Sequence, residues 1–330
     1  MKKIIVITSG KGGVGKTTTA INLGAALNYF GKDVLVLDGN LTTPNVGIHL
    51  NSPEVPICLN HVLEKKADLF EAVYEHESGL KIIPSSLSIK ELKKIKPEKL
   101  KSLREDLKKL SDYIIVDSAA GLGDEAKGAL KMADELIIIT NPEMPAITDA
   151  LKTIKLAEQF KKPVLGVIMT RVRKDNIELQ PETVKEMLEV PILGMIPESL
   201  EIKKALNEKD AVVNLYPKSD AARAYKEIAA KILKVDFDKA TKEDISKAVR
   251  SIQEREDYAP WTKATYKIML KRFYKWLKNT GDDHPEEVKW ISTIIKRTEK
   301  KQISNGELLT EEEIQKLVNI AEHPRDKALV

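Results

Sequence analysis

Short apolar runs alternate with amphipathic stretches along the first 235 residues of the chain. The apolar runs, rich in Ile and Val, are residues 3–9, 34–38, 80–84, 113–117, 135–141, 164–170 and 192–196. Between them, helical spacing of apolar positions marks stretches such as residues 17–29, 97–110, 148–159 and 181–188. Uninterrupted apolar strands separated by helices predict a mostly parallel sheet covered on both faces. We therefore expect a doubly wound α/β fold, whose ligands bind at the carboxyl ends of the strands.

The pattern changes beyond residue 235. No strand-like run follows residue 216, and residues 236–260 are charged and helical in pattern. All three tryptophans then appear among lysines and arginines, at positions 261, 276 and 290. The chain is therefore predicted to hold an α/β domain at residues 1–235 and a small all-α domain at residues 236–330.

Composition adds limits on the class of protein. The 330 residues are 42% hydrophobic and 32% charged, with a net charge of +4. The single cysteine, Cys58, excludes an internal disulfide and a cysteine-rich metal site, and it suits a reducing compartment. No run of about 18 apolar residues predicts a membrane span. We expect a cytoplasmic protein with no membrane partner.

A glycine-rich loop joins the first apolar run to the first helical stretch. It reads Gly10-Lys11-Gly12-Gly13-Val14-Gly15-Lys16-Thr17-Thr18. Glycines let the backbone wrap a phosphate, and the amide groups and helix N-terminus point partial positive charge at it. Lys16 is expected on the β- and γ-phosphates, Thr17 on Mg²⁺ and Thr18 on the α-phosphate. The sequence thus predicts a nucleoside triphosphate site.

The extra lysine, Lys11, makes this loop resemble the deviant Walker A motif of the MinD/ParA family of ATPases. Three further segments are similar to that family in the same order: VLVLDGNLTTPN at residues 34–45, IIVDSAAGL at 114–122 and ITNPEMPAITD at 139–149. They resemble its first switch, its Walker B strand with second switch, and a dimer-facing segment. The resemblance covers roughly residues 1–233. It implies ATP and Mg²⁺ as cofactors and a homodimer that forms when ATP is bound.

The resemblance also implies roles for single residues. Lys11 would reach across the dimer to the partner's phosphates, opposite Glu143 and Asp149. The residues implied in catalysis are Lys11, Lys16, Asp38, Asn40 and Asp117.

For two acids in this set, position in the sequence supports the same role that the resemblance implies. Asp38 and Asp117 end apolar strands, where carboxylates can lie near a magnesium ion held by Thr17. Asn45 would orient water or a phosphate oxygen. The alternative role of any single aspartate at the end of a strand is to cap a helix or a turn and not to lie near a metal.

Base recognition is the weaker part of the resemblance. Where the family often has Asn-Arg, this chain has Thr170-Arg171, so the amide that reads adenine is missing. Arg171 could still stack on a purine. The segment at residues 196–198 resembles one that contacts the base, which makes Pro197 and Glu198 candidate nucleotide-binding residues.

The first switch departs from the family at one position, since the usual Asp-x-Asp is Asp38-Gly39-Asn40 here. An amide has nearly the shape of a carboxylate but cannot act as a base. One interpretation is natural variation that another group compensates. The other is a hydrolysis-impaired protein, natural or engineered, in which Asn40→Asp would speed ATP turnover.

The C-terminal region combines helical spacing with basic residues. A core stripe is predicted at Tyr266, Leu270, Phe273 and Leu277, and further helices at residues 287–301 and 310–321. Residues 241–322 resemble the helical core-binding (SAM-like) domain of tyrosine recombinases. Because that family's later catalytic boxes are absent, no recombinase activity is expected. The resemblance and the concentration of bases in the central helices favour nonspecific, salt-sensitive DNA binding. The predicted contacts are Lys263, Lys267, Lys271, Arg272, Lys275, Lys296, Arg297, Lys300 and Lys301; a merely solvated charged face is the alternative.

Three functions fit these patterns. The first is a DNA-associated ATP switch that positions or partitions DNA or a protein cargo, which would place it on the nucleoid. The second is a nucleotide-locked dimeric scaffold without useful turnover. The third is a MinD-like regulator of cell division or polarity that acts through a protein partner.

Overall fold

The computed structural model describes residues 2–52, 54–88, 97–173, 178–234, 240–256, 258–278, 280 and 283–294. The chain divides into two compact units, Met1–Val235 and Asp236–Val330.

An eight-stranded sheet forms the centre of the first unit. Its strands are β1 (Lys3–Ser9), β2 (Val34–Gly39), β3 (Tyr74–Glu75), β4 (Lys81–Ile83), β5 (Tyr113–Ala120), β6 (Glu135–Thr140), β7 (Val164–Val172) and β8 (Ile192–Pro197). They lie in the order β3-β4-β2-β5-β1-β6-β7-β8. Every neighbouring pair is parallel except β3 with β4. The predicted mostly parallel sheet is confirmed, and all seven predicted runs belong to it.

Helices cover both faces of this sheet. They are α1 (Lys16–Tyr29), α2 (Val46–His49), α3 (Leu59–Leu63), α4 (Arg104–Leu110), α5 (Asp124–Met132), α6 (Met144–Gln159), α7 (Pro181–Leu188), α8 (Leu200–Asn207), α9 (Val212–Leu215) and α10 (Asp220–Leu233). Because side chains alternate along a strand, Ile5 packs in one core with α1 and α10, while Ile4 packs in another with α4 and α5. Both faces of β1 are therefore buried, as the apolar run predicts.

Two predicted helices differ from the observed ones, one in its start and one in its type. The helix predicted at residues 148–159 begins earlier, at Met144. Its first turn contains Pro145, and proline is tolerated at that place because the first amide groups of a helix have no acceptor within the helix. The stretch predicted at 97–110 is a 3₁₀ helix over Pro97–Leu103 followed by α4. None of the helices within the described residues is long and apolar enough to cross a membrane.

The described part of the second unit contains α11 (Lys242–Glu254), α12 (Pro260–Leu277) and α13 (Glu286–Lys289). Its core consists of Ile245, Val249, Tyr274, Val288 and Ile291. Thr241 caps α11 in a reciprocal pair with Asp244.

The predicted core stripe on α12 is only partly right. Leu270 and Phe273 do pack against the core, but Tyr266 is 40% exposed, whereas Ala264 and Tyr274 are buried. The buried face is thus rotated relative to the predicted stripe. The helix predicted at 287–301 is wrong for residues 291–294, which follow the end of α13. Residues 295–301 and the helix predicted at 310–321 lie outside the described residues.

Candidate nucleotide site

The glycine-rich loop connects β1 to α1 at the carboxyl edge of the sheet. Gly15 has a φ of 89°, a left-handed conformation that favours glycine. Gly10 is needed for a different reason, since a Cβ there would lie 2.2 Å from the carbonyl oxygen of Asp149 in α6. The loop sequence therefore satisfies both a backbone bend and a close approach to a neighbouring helix.

Two side-chain hydroxyl groups donate hydrogen bonds to backbone carbonyls of this loop. The Ser9 Oγ donates to the Lys11 carbonyl at 2.6 Å, and the Thr170 Oγ1 donates to the Val14 carbonyl at 2.6 Å. Thr170 Oγ1 also lies 2.9 Å from the Oδ1 of Asn141. From the sequence, Thr170 is only the residue that replaces the family's asparagine. Its position at the end of an apolar strand was the available signal, and the structure gives it the role of supporting the loop.

Two buried acids stand beside the loop. Asp38 of β2 pairs in register with Asp117 of β5, and both side chains are 0% exposed. Burial and the neighbouring Asp117 raise the pKa of Asp38 well above its usual range, although three backbone amides donate to its carboxyl. Burial raises the pKa of Asp117 to about 6, against the opposing effects of Thr17 and Lys16. Two adjacent carboxyls of this kind favour a cation between or beside them.

The atoms of this cluster fit a magnesium ion. Thr17 Oγ1 donates to Asp117 Oδ2 at 2.5 Å, while Asp117 Oδ1 is buried without a hydrogen-bond partner among the described residues. No cluster of three or more His, Cys, Asp or Glu side chains forms a metal site in that same part of the chain. Mg²⁺ commonly takes one or two protein oxygens and completes its shell with phosphate and water. Thr17 therefore stays the predicted direct ligand, with Asp117 and Asp38 as nearby acids.

Lys16 is buried near Asp117. Its side chain is 9% exposed. Burial lowers its pKa, and the negative charge of Asp117 works in the opposite direction. A nearby triphosphate would hold this ammonium charged and satisfy it.

The segment after β2, residues 40–46, is named the switch loop here. Asp38 accepts hydrogen bonds from the backbone amides of Asn45 and Val46 at 2.9 and 3.0 Å. The Asn45 side chain donates to the Thr43 carbonyl at 2.8 Å, so its amide is used within the loop. The predicted role of Asn45 toward water or phosphate stays a prediction.

The signature lysine lies at the exposed tip of the glycine-rich loop. Lys11 is 44% exposed, and its Nζ lies 3.6 Å from the Glu143 carboxylate of the same chain. Asp149 is on α6, where its carboxylate pairs with Lys152 at 3.1 Å. The structure therefore brings Lys11, Glu143 and Asp149 to one region of the surface. Their predicted contacts with a partner subunit stay predictions.

A pocket of about 370 Å³ adjoins the end of the loop. Its walls include Gly15 and Thr18 on one side and Arg171, Pro197 and Glu198 on the other. Arg171 has a φ of 55° where the pairing of β7 with β8 shifts register. This pocket continues from the phosphate loop, and its walls include all three residues predicted to contact the base. Their contact with a base stays a prediction.

The five predicted DNA contacts that the structure describes do not share one exposed face. Lys267 is buried at 9% exposure, which contradicts a direct phosphate contact in this conformation. Lys263 donates to the Gln253 carbonyl at 2.8 Å and Lys271 to the Ile291 carbonyl at 3.3 Å. The four-residue spacing of these lysines puts them on one stripe, and that stripe faces neighbouring segments of its own unit.

The other predicted DNA contacts divide into two groups. Arg272 is exposed and Lys275 half-buried. Lys296, Arg297, Lys300 and Lys301 lie outside the described residues.

Comparison with known proteins covers mainly the first unit. The family model described as ParA, NUBPL iron-transfer P-loop NTPase, matches residues 1–233. An ATP-binding protein of Methanocaldococcus jannaschii is 38% identical and spans 75% of this chain and 96% of its own. The septum site-determining protein MinD of Pyrococcus horikoshii, complexed with Mg-ADP, aligns with a TM-score of 0.69 at 34% identity, covering 71% of this chain and 97% of that one. MinD in the MinC:MinD complex of Aquifex aeolicus aligns with a TM-score of 0.64 at 32% identity, covering 70% and 96%.

Proposed function

Because the chain belongs to the ParA family of P-loop NTPases, we propose that it is a nucleotide-dependent dimerisation switch that uses ATP and Mg²⁺. The first unit would bind Mg·ATP with its glycine-rich loop, Thr17 and the nearby acids. Two subunits would then associate through the face that carries Lys11.

The exposed position of Lys11 is the observation that carries this proposal. Lys16 already supplies a buried cation for the phosphates, whereas Lys11 extends from the loop tip and pairs only loosely, at 3.6 Å, with an exposed carboxylate. Such a surface pair contributes little stability. Lys11 can therefore exchange Glu143 for a phosphate of a facing subunit at small cost.

The relatives support the cofactors and the idea of a protein partner. One similar structure is a MinD complexed with Mg-ADP, and another is a MinC:MinD complex. By that analogy, the dimer of this chain would present a surface to a protein activator or cargo.

Size measurement with different nucleotides tests the switch. Sedimentation of the full chain with Mg·ADP and with a slowly hydrolysed Mg·ATP analogue should give a monomer and a dimer, respectively. The same size in both conditions would contradict the proposal. Phosphate release then separates a cycling switch from a nucleotide-locked scaffold, since only the former turns over.

We also propose that the second unit binds DNA. This proposal is supported by the exposed Arg272 and by the resemblance of residues 241–322 to a recombinase core-binding domain, and it is weakened by the inward-facing lysines. Titration of duplex DNA at rising salt is the test. Affinity that falls steeply with salt, and falls further with Arg272→Ala, is expected; affinity that ignores salt would contradict DNA binding.

A further inference from the structure

The Asn40 side chain closes the switch loop on itself. Its Nδ2 donates to the Thr43 carbonyl at 2.7 Å and lies 3.0 Å from the Thr43 hydroxyl, while its Oδ1 accepts from the Thr43 amide at 3.3 Å. The side chain is 8% exposed. Both ends of the amide are therefore used, one as a donor and one as an acceptor.

A carboxylate cannot replace this pattern. Asp at position 40 would keep the acceptor for the Thr43 amide but lose the donor to the Thr43 carbonyl, leaving two oxygens facing each other at hydrogen-bond distance. It would also place a third acid next to Asp38, whose Oδ1 already accepts from the Asn40 backbone amide at 3.2 Å.

The closed loop connects two parts of the site. Thr42, inside the loop, donates to the carboxylate of Glu125 in the first turn of α5. Asn45 and Val46, at the end of the loop, donate to Asp38. The bond from Asn40 to Thr43 thus fixes a segment that contacts both the acid on β2 and the helix that follows β5.

We propose that Asn40 is a positioning residue of the nucleotide site, whose amide holds the switch loop closed, and not the remnant of a catalytic base. The inference rests on the proposed function, in which this loop serves the bound nucleotide. It reverses the expectation that Asn40→Asp speeds turnover, because the aspartate removes the donor that the loop needs.

Steady-state kinetics of Asn40→Asp and Asn40→Ala test this role. Both substitutions remove the donor, so both should raise KM for Mg·ATP by about three- to tenfold, the range expected for one hydrogen bond, without raising kcat. The alternative, that Asn40 replaces a catalytic base, predicts different changes in kcat and KM. In that case Asn40→Asp raises kcat tenfold or more at unchanged KM, and Asn40→Ala does not. That result would overturn the proposal.

Hydrogen exchange gives a readout that does not depend on turnover. In the full chain without nucleotide, the amides of Thr43, Asn45 and Val46 should exchange faster in both variants than in the parent protein, while amides in β1 stay unchanged. Unaltered exchange across residues 40–46 would refute the positioning role. Asn40→Ala adds no charge beside Asp38, so it keeps this test open if Asn40→Asp does not fold. A parent protein that stays monomeric with ATP would overturn the switch but leave this result intact.

Discussion

Asp38 lies directly opposite Asp117 on the neighbouring parallel strand, and both side chains are fully buried. Ionising both acids in this arrangement is energetically unfavourable, since each carboxylate loses hydration and repels the other. The site therefore stores an unfavourable interaction that a magnesium ion and its phosphate ligands would relieve. This relationship gives the nucleotide-free protein a specific dependence on pH.

Stability of the nucleotide-free protein should fall as pH rises through the pKa of Asp117. Its pKa is raised in the folded state from 3.8 to about 6. A raised pKa means that the folded state binds the proton more tightly, so this stabilisation is present below pH 3.8 and lost as pH passes about 6. The melting temperature of the parent protein minus that of Asp117→Asn, followed from pH 4 to 8, should decline across that window. A flat difference would contradict the strained pair.

Asp117→Asn should separate stability from metal use. Without nucleotide at pH 8, the variant should be more stable than the parent by about 1–3 kcal/mol, because a buried charge is removed. Its affinity for ATP should gain much less from added Mg²⁺ than that of the parent. Calorimetric titration of ATP with Mg²⁺ and with EDTA measures this gain. Asp106→Asn, an exposed acid on α4, is the matched control and should change neither quantity.

Lys11→Ala should uncouple nucleotide binding from dimerisation. The exposed Lys11 side chain contributes little to the fold, so melting temperature and ADP affinity should stay close to those of the parent. The Mg·ATP-dependent dimer should be lost in sedimentation. Lys155→Ala removes another exposed lysine, one that pairs with Glu158, and should leave the dimer intact. An ATP dimer that persists in Lys11→Ala would refute the role assigned to this residue.

Two glycines of the loop should respond differently to alanine. In Gly10→Ala the new Cβ meets the Asp149 carbonyl at 2.2 Å, so the loop or α6 must shift, at a cost of about 1–3 kcal/mol or more. At Gly12 a Cβ has nothing within 4 Å. Gly12→Ala should therefore stay within about 1 kcal/mol of the parent in urea unfolding without nucleotide. Equal losses for both variants would contradict the tight contact between the loop and α6.

The sheet and the phosphate loop were predictable because their signals are local. Continuous Ile- and Val-rich runs mark buried strands wherever they pair, and the loop motif includes the bend and the cations that it needs. Strand β3 was missed because two residues, Tyr74 and Glu75, carry no periodic pattern.

Other features depend on partners far apart in sequence. Thr170 supports the Val14 carbonyl across 156 positions, and no local pattern indicates that bond. The bond from Asn40 to Thr43 is local, but comparison with the Asp-x-Asp pattern shows only that a charge is lost, and the gained donor becomes visible only in the folded loop. On α12, Lys267 was assigned to the surface by its charge, whereas the helix buries it.

The hydroxyl bonds from Ser9 and Thr170 to the loop carbonyls, with the contact between Gly10 and Asp149, have a kinetic consequence. These contacts come from the chain itself, so they support the shape of the phosphate loop without help from a ligand. Because the loop is preorganised, little backbone entropy should be lost when the triphosphate binds. Association is then governed by diffusion and charge, and the slower rearrangement is left to the segments that surround the loop.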